Sequence, residues 1–155
     1  MKFGITYSIQ SLTGEWTQIC RDVLDQVERA DALGIDYALV SEHHLVEDNG
    51  YFPSPLTVLA AFAARTERIR LATGILLLPL YHPMVIAEMV AVVDNLSAGR
   101  VTLGVGMGYR PEEFAAFHVP IEERGERMEE SLRLLDLLLR ERDVHSDGPH
   151  FPMEG

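Results

Sequence analysis

The stretch Asp36-Tyr37-Ala38-Leu39-Val40-Ser41-Glu42-His43-His44 decides how this chain is read. An apolar run follows Gly34, short enough for a strand buried on both faces, and it ends abruptly in a carboxylate and two imidazoles. Parallel α/β sheets and barrels gather their reactive groups at the carboxyl ends of their strands. Ionisable side chains that close a buried strand are therefore expected to face a site.

Working outward, Phe3 to Ser8 reads as a first strand, with a polar loop from Gln10 to Glu15 in which Thr13, or Thr17 just beyond it, would cap the next helix. Between Trp16 and Leu33 the residues Ile19, Val23, Val27 and Ala30 recur at helical spacing, and Gly34 supplies the left-handed residue that ends many helices. Strand, helix, strand in that order is a βαβ unit and implies parallel pairing. After His44 a loop carries the turn residues Asp48-Asn49-Gly50, and Ser54-Pro55 opens a second helix with Leu59, Phe62 and Ala63 inward.

Ile69 to Leu78 is a third strand, with Leu76, Leu77 and Leu78 as core. His82-Pro83 opens a third helix, which stops at Ser97-Ala98-Gly99, and Arg100 introduces a fourth strand from Val101 to Met107. A short helical turn begins at Pro111. A long helix is then expected from about Glu122 to Arg140, with Met128, Leu132, Leu135 and Leu139 inward and Glu122, Glu123, Glu126, Glu129 and Glu130 solvated. Residues 144–151, with Asp147-Gly148-Pro149, read as a hairpin or extended loop. Four strand-helix units without a linker make one domain over residues 1–155, either a small doubly wound sheet or half of a TIM-type (β/α)8 barrel.

Composition limits the partners. A formal charge of −11 and 24 acidic against 13 basic residues disfavour nucleic acid and anionic membrane, which reward clustered Lys and Arg. The single cysteine, Cys20, allows no disulfide framework or multi-cysteine metal site. The amino terminus enters a strand directly, with no secretory pattern, and Leu71 to Leu80 is too short to span a bilayer, so a cytoplasmic protein is expected.

His43 and His44 are adjacent, so on an extended backbone they face opposite sides: one can meet a site while the other packs. Imidazole titrates near neutrality, which suits a general acid or base. Glu42, His43, His44 and His82 are metal-ligand types, yet adjacent ligands converge poorly on one ion and the chain has no i, i+4 histidine pair, so no metal is expected. The glycines at Gly104, Gly106 and Gly108 alternate within a strand and lack the G-x-G-x-x-G spacing of a dinucleotide fold. They clear one strand face, either for a flat ligand or for tight packing, and Gly74 poses the same choice in the third strand.

In combination, Ser41-Glu42-His43-His44, Thr73-Gly74-Ile75 with Pro79-Leu80-Tyr81-His82-Pro83, Leu96-Ser97-Ala98-Gly99-Arg100, Gly104 to Tyr109, and Glu113-Phe114 with Phe117 resemble the bacterial luciferase-like flavin- and F420-dependent oxidoreductases. The resemblance covers nearly the whole chain. It implies a (β/α)8 barrel of which this chain supplies the amino-terminal half, with reduced FMN or coenzyme F420 as cofactor and a small organic molecule as substrate. His44 would be catalytic, stabilising a reduced or oxygenated flavin intermediate, with His43 beside it and Glu42 orienting one imidazole. Thr73, Gly74, Ile75, Met107, Gly108 and Tyr109 would line the cofactor, Gly74-Ile75 through a non-prolyl cis peptide. Met107 departs from luciferases themselves, where an arginine meets the flavin phosphate; Arg110 is the nearest substitute. A flavin reductase as supplier of the cofactor and a homo-oligomer that covers the half-barrel edges are further expectations. The competing reading is a non-catalytic flavin-binding or self-associating half-barrel.

Overall fold

In the computed structural model residues 1–8, 15–45 and 52–154 are described. The expected loop at residues 10–14, the Thr13 cap and the Asp48-Asn49-Gly50 turn lie outside them. Strands β1 (Gly4–Tyr7), β2 (Tyr37–Val40), β3 (Arg70–Thr73), β4 (Leu76–Leu77), β5 (Val101–Thr102) and β6 (Val105–Gly106) are joined by helices α1 (Trp16–Ala32), α2 (Pro55–Arg65), α3 (Pro83–Leu96), α4 (Pro111–Ala116) and α5 (Arg124–Leu138). Four strands form one parallel sheet in the order β1-β2-β3-β5, and β4 pairs with β6.

The expected third and fourth strands are each broken in two. The third stops at Thr73, where the Gly74–Ile75 peptide is cis, and resumes at Leu76; the fourth is interrupted at residues 103–104. The expected run to Leu78 ends instead in a 3₁₀ turn, Leu78–Leu80. Where the sequence shows no internal boundary, the chain divides close to these breaks into two compact units, residues 1–76 with 92–105 and residues 77–91 with 106–155.

In the first unit, Ile5, Ala38, Leu71 and Val101 lie in register across the sheet, as do Tyr7, Val40 and Thr73. Ala38, Val40 and Leu71 are fully buried, beside Val23 and Val27 of α1 and Leu56, Leu59 and Phe62 of α2. Helix α1 ends as its glycine predicts. Gly34 sits at φ +81°, its N–H meeting the Asp31 carbonyl, while the Ile35 N–H reaches back to Ala30. Helix α3 repeats this closure with Ala98 in the left-handed region, at φ 56°. Ser54 precedes α2 with Pro55 in its first turn, as expected, although its hydroxyl meets Thr57 at 2.7 Å rather than a backbone N–H. Glu15 stands at the start of α1, so Thr17 lies within the helix and is no cap.

Two charged side chains tie these elements together. Arg100 spends all five of its donors: Nε on the Ser97 carbonyl (2.6 Å), Nη1 on Thr66 Oγ1 (2.8 Å) and the Ile69 carbonyl (2.9 Å), and Nη2 on the carbonyls of Ala63 (3.3 Å) and Thr66 (2.8 Å). Burial lowers its pKa, and the Asp31 and Glu67 carboxylates act in the opposite direction. Asp31, on α1, accepts the backbone N–H groups of Glu67 (2.9 Å), Arg68 (3.1 Å) and Ile69 (2.6 Å).

The second unit holds two apolar clusters, Leu77, Leu80 and Phe114, and Leu134, Val144 and Phe151. Helix α5 buries Glu130, Ser131, Leu134 and Leu135; Leu132 and Leu139 are about half exposed, so of the expected inner residues only Leu135 is buried. Glu130, expected in solvent, is 7% exposed because it receives the N–H groups of His150 (3.2 Å) and Phe151 (3.0 Å). Those donors belong to the carboxy-terminal turn, which Ser146 and Met153 close as an antiparallel bridge. Among the described residues no helix is long and apolar enough to cross a membrane.

Arg100→Lys should lower unfolding free energy by about 2–4 kcal/mol, because three ammonium donors cannot serve five acceptors; urea titration reads this. The Asp31 carboxyl is pushed up by burial, but three backbone N–H groups and Arg68 outweigh this and hold it below the usual range. Its contribution is therefore present above the unfolded value of about 3.9 and is lost as pH falls through the lower folded value. Asp31→Asn should flatten that acid limb of the urea midpoint against pH.

Candidate active site

Register places the motifs of the first unit. Val40 and Thr73 are partners across β2 and β3, so Ser41-Glu42-His43-His44 and Gly74-Ile75 leave neighbouring strands at the same level, at their carboxyl ends. The Gly74 N–H still donates to the Val40 carbonyl at 2.8 Å, and the Ser41 N–H to the Tyr7 carbonyl at 3.4 Å. The strands thus deliver both segments to one edge of the sheet.

Glu42 is 2% exposed, and its Oε1 lies 3.3 Å from His44 Nε2. The His44 side chain is itself only 12% exposed. The two residues are separated by one position in the segment that leaves β2. The neighbouring His43 is half-buried. Tyr7, at the end of β1, was not singled out by the sequence. Its ring packs edge-on against Phe62 at 5.2 Å, burial raises the pKa of its phenol, and the hydroxyl has no partner among the described residues.

Thr73 is 2% exposed and its hydroxyl is occupied twice, donating to the Gly104 carbonyl (2.6 Å) and accepting the Gly104 N–H (2.8 Å). Its hydroxyl proton is thus already committed within the chain. Ile75 is the residue presented, at 38% exposure. The glycine alternation also has a packing cause. A Cβ on Gly104 would stand 2.3 Å from the Thr73 carbonyl oxygen.

The remaining predicted residues belong to the second unit. Met107 and Tyr109 are exposed, whereas Gly108 sits at φ +74° with Phe114 2.9 Å from where a Cβ would be. The space cleared at Gly108 is therefore filled by the chain's own ring. Arg110, the suggested phosphate contact, stands at the start of α4, where its carbonyl accepts the Glu113 N–H. His82 begins α3, its Nδ1 accepting the Met84 N–H at 3.3 Å and its ring lying edge-on to Phe151. It is built into the fold, and no cluster of three or more potential metal ligands occurs among the described residues.

Parallel strands with a buried carboxylate–imidazole pair at their carboxyl ends define an α/β protein of the strand-end-site type. The chain belongs to the luciferase-like monooxygenase family, whose model matches residues 1–155. It is 36% identical over 138 residues to an F420-dependent glucose-6-phosphate dehydrogenase of Kribbella flavida, covering 85% of this chain and 41% of that protein. Monooxygenase RslO1 from Streptomyces bottropensis superposes with a TM-score of 0.94 at 36% identity, over 99% of this chain and 47% of its own. The FMN complex of the oxygenating constituent of 3,6-diketocamphane monooxygenase from Pseudomonas putida shares the fold, with a TM-score of 0.91 at 24% identity, over 99% and 43%. The chain thus spans less than half the length of these proteins.

Gly104→Ala is expected to destabilise the protein by about 3 kcal/mol, since the new methyl would meet backbone rather than a movable side chain. Thermal and urea denaturation against the parent measure it, and an unchanged midpoint would show that the β5–β6 break relaxes freely.

Proposed function

We propose that the protein is an oxidoreductase that binds reduced FMN or coenzyme F420 and acts on a small organic substrate. The observation that carries this reading is the buried Glu42 carboxylate holding His44 at the carboxyl end of β2, level with the exposed Ile75 beyond β3. An exposed aliphatic side chain beside an oriented imidazole fits a flat, largely apolar ring system with a polar reactive edge. When bound, such a cofactor supplies hydride transfer or oxygen activation.

The chain's own residues would do the rest. Glu42 fixes the rotamer of His44, with the Nε2 proton donated to Oε1, so that the ring enters proton transfer already oriented. His43, from the same segment, is the second imidazole at the strand ends. Ile75 covers one side of the cofactor and keeps water from it. Met107, Gly108 and Tyr109 are given to the cofactor on family resemblance alone.

Titration of the whole protein with FMN and with F420, followed by absorbance and fluorescence, should show saturable binding of one of them; binding of neither overturns the reading. His44→Ala should then cut turnover by about 10²-fold or more while the cofactor dissociation constant changes little. Glu42→Gln should produce a smaller loss of the same kind. If His43→Ala abolishes turnover and His44→Ala does not, the imidazole that reacts is His43 and the Glu42–His44 pair is its support.

A further inference from the structure

We infer that Thr73 is a positioning residue: its hydroxyl clamps the Gly104 peptide and thereby sets where Ile75 is presented. The inference rests on the functional reading above and assigns Thr73 a different role from direct cofactor contact. The geometry is reciprocal. Thr73 Oγ1 donates to the Gly104 carbonyl at 2.6 Å and accepts the Gly104 N–H at 2.8 Å, so one side chain satisfies both polar groups of one residue.

The same Gly104 carbonyl also receives the Leu76 N–H at 2.9 Å. On the other side of Ile75, the Gly74 N–H is fixed to Val40 at 2.8 Å. Ile75 is therefore bracketed by two anchored amides, and one of the two anchors is held in turn by Thr73. Leu76 and Thr73 are almost fully buried while Ile75 is 38% exposed, so the clamp lies under the residue that it presents. No side chain at position 104 could coexist with it, because a Cβ there would stand 2.3 Å from the Thr73 carbonyl oxygen.

Removing only the hydroxyl leaves the Gly104 N–H without its acceptor and the Gly104 carbonyl with one donor in place of two. The consequence is a shift of Ile75 rather than loss of a ligand contact. Misplacement of a surface that supports a ring weakens binding without touching the reacting groups.

The test compares Thr73→Val, which keeps shape and loses the hydroxyl, with Thr73→Ser, which keeps the hydroxyl. In the whole protein, amide hydrogen exchange at Leu76 and Gly104 should accelerate in Thr73→Val and stay near the parent in Thr73→Ser. The dissociation constant for whichever of FMN or F420 the parent binds should rise about tenfold in the valine variant alone, through the displaced Ile75. Equal affinity in the parent and folded Thr73→Val overturns the inference, as does a serine variant that fails like valine. A parent that binds neither cofactor sinks the functional reading, and exchange at Leu76 and Gly104 then decides separately whether the hydroxyl holds this segment.

Discussion

The first unit depends on how the Arg100 guanidinium is satisfied. Its fork reaches the last residues of α2 at Ala63, the connection at Thr66, the entry to β3 at Ile69 and the end of α3 at Ser97. These are helix and strand termini, where backbone carbonyls lack partners of their own and burial would otherwise be costly. One planar group with five fixed donors answers that need where an ammonium could not. Asp31 does the complementary work, taking the N–H groups of Glu67, Arg68 and Ile69. Carbonyls go to the cation and amides to the anion, and the turn between α2 and β3 is thereby fixed.

From that fixed turn the position of the site follows. Once the entry to β3 is set, parallel register with β2 places Thr73 beside Val40, and the strands end together. The segments that follow must then emerge side by side. The buried Glu42–His44 pair and the exposed Ile75 share a neighbourhood because two strands of similar length start from anchored ends. Preorganisation at the carboxyl edge is thus built from interactions at the amino ends, remote from any chemistry.

The sequence revealed this plan unevenly. Apolar stripes at helical spacing located four of the helices and Pro111 the start of α4, since both are local signals, and Gly34 marked the end of α1 through a backbone requirement at that residue. The Leu-Ser-Ala-Gly-Arg motif was readable as a helix stop, but the five acceptors of Arg100 were not, because they lie 31 to 37 residues away for all but Ser97. Breaks in the third and fourth strands escaped periodicity, since Leu76 and Leu77 are apolar in either conformation. On α5 the stripe was misplaced because a buried glutamate reads as polar; its burial follows from donors about 20 residues downstream that local pattern does not contain. Of the candidate site, residue types and strand-end placement were legible, while the pairing of His44 with Glu42 depends on how the chain leaves β2.

The glycines show how a motif can be right in place and differently caused. Alternation at Gly104, Gly106 and Gly108 admits two explanations, an open face for a ligand or a filled one. Two of these positions are filled by the chain itself, by the Thr73 carbonyl at Gly104 and the Phe114 ring at Gly108. Small residues there let backbone and ring approach, and the large side chains exposed next to them are Ile75 in one unit and Met107 and Tyr109 in the other. The glycines themselves are only partly buried, and Gly104 and Gly108 each stand against a close approach of the chain to itself. At both positions a side chain would meet the chain's own atoms, so close packing alone accounts for two of the three alternating glycines, and the motif marks where strand and helix approach most nearly.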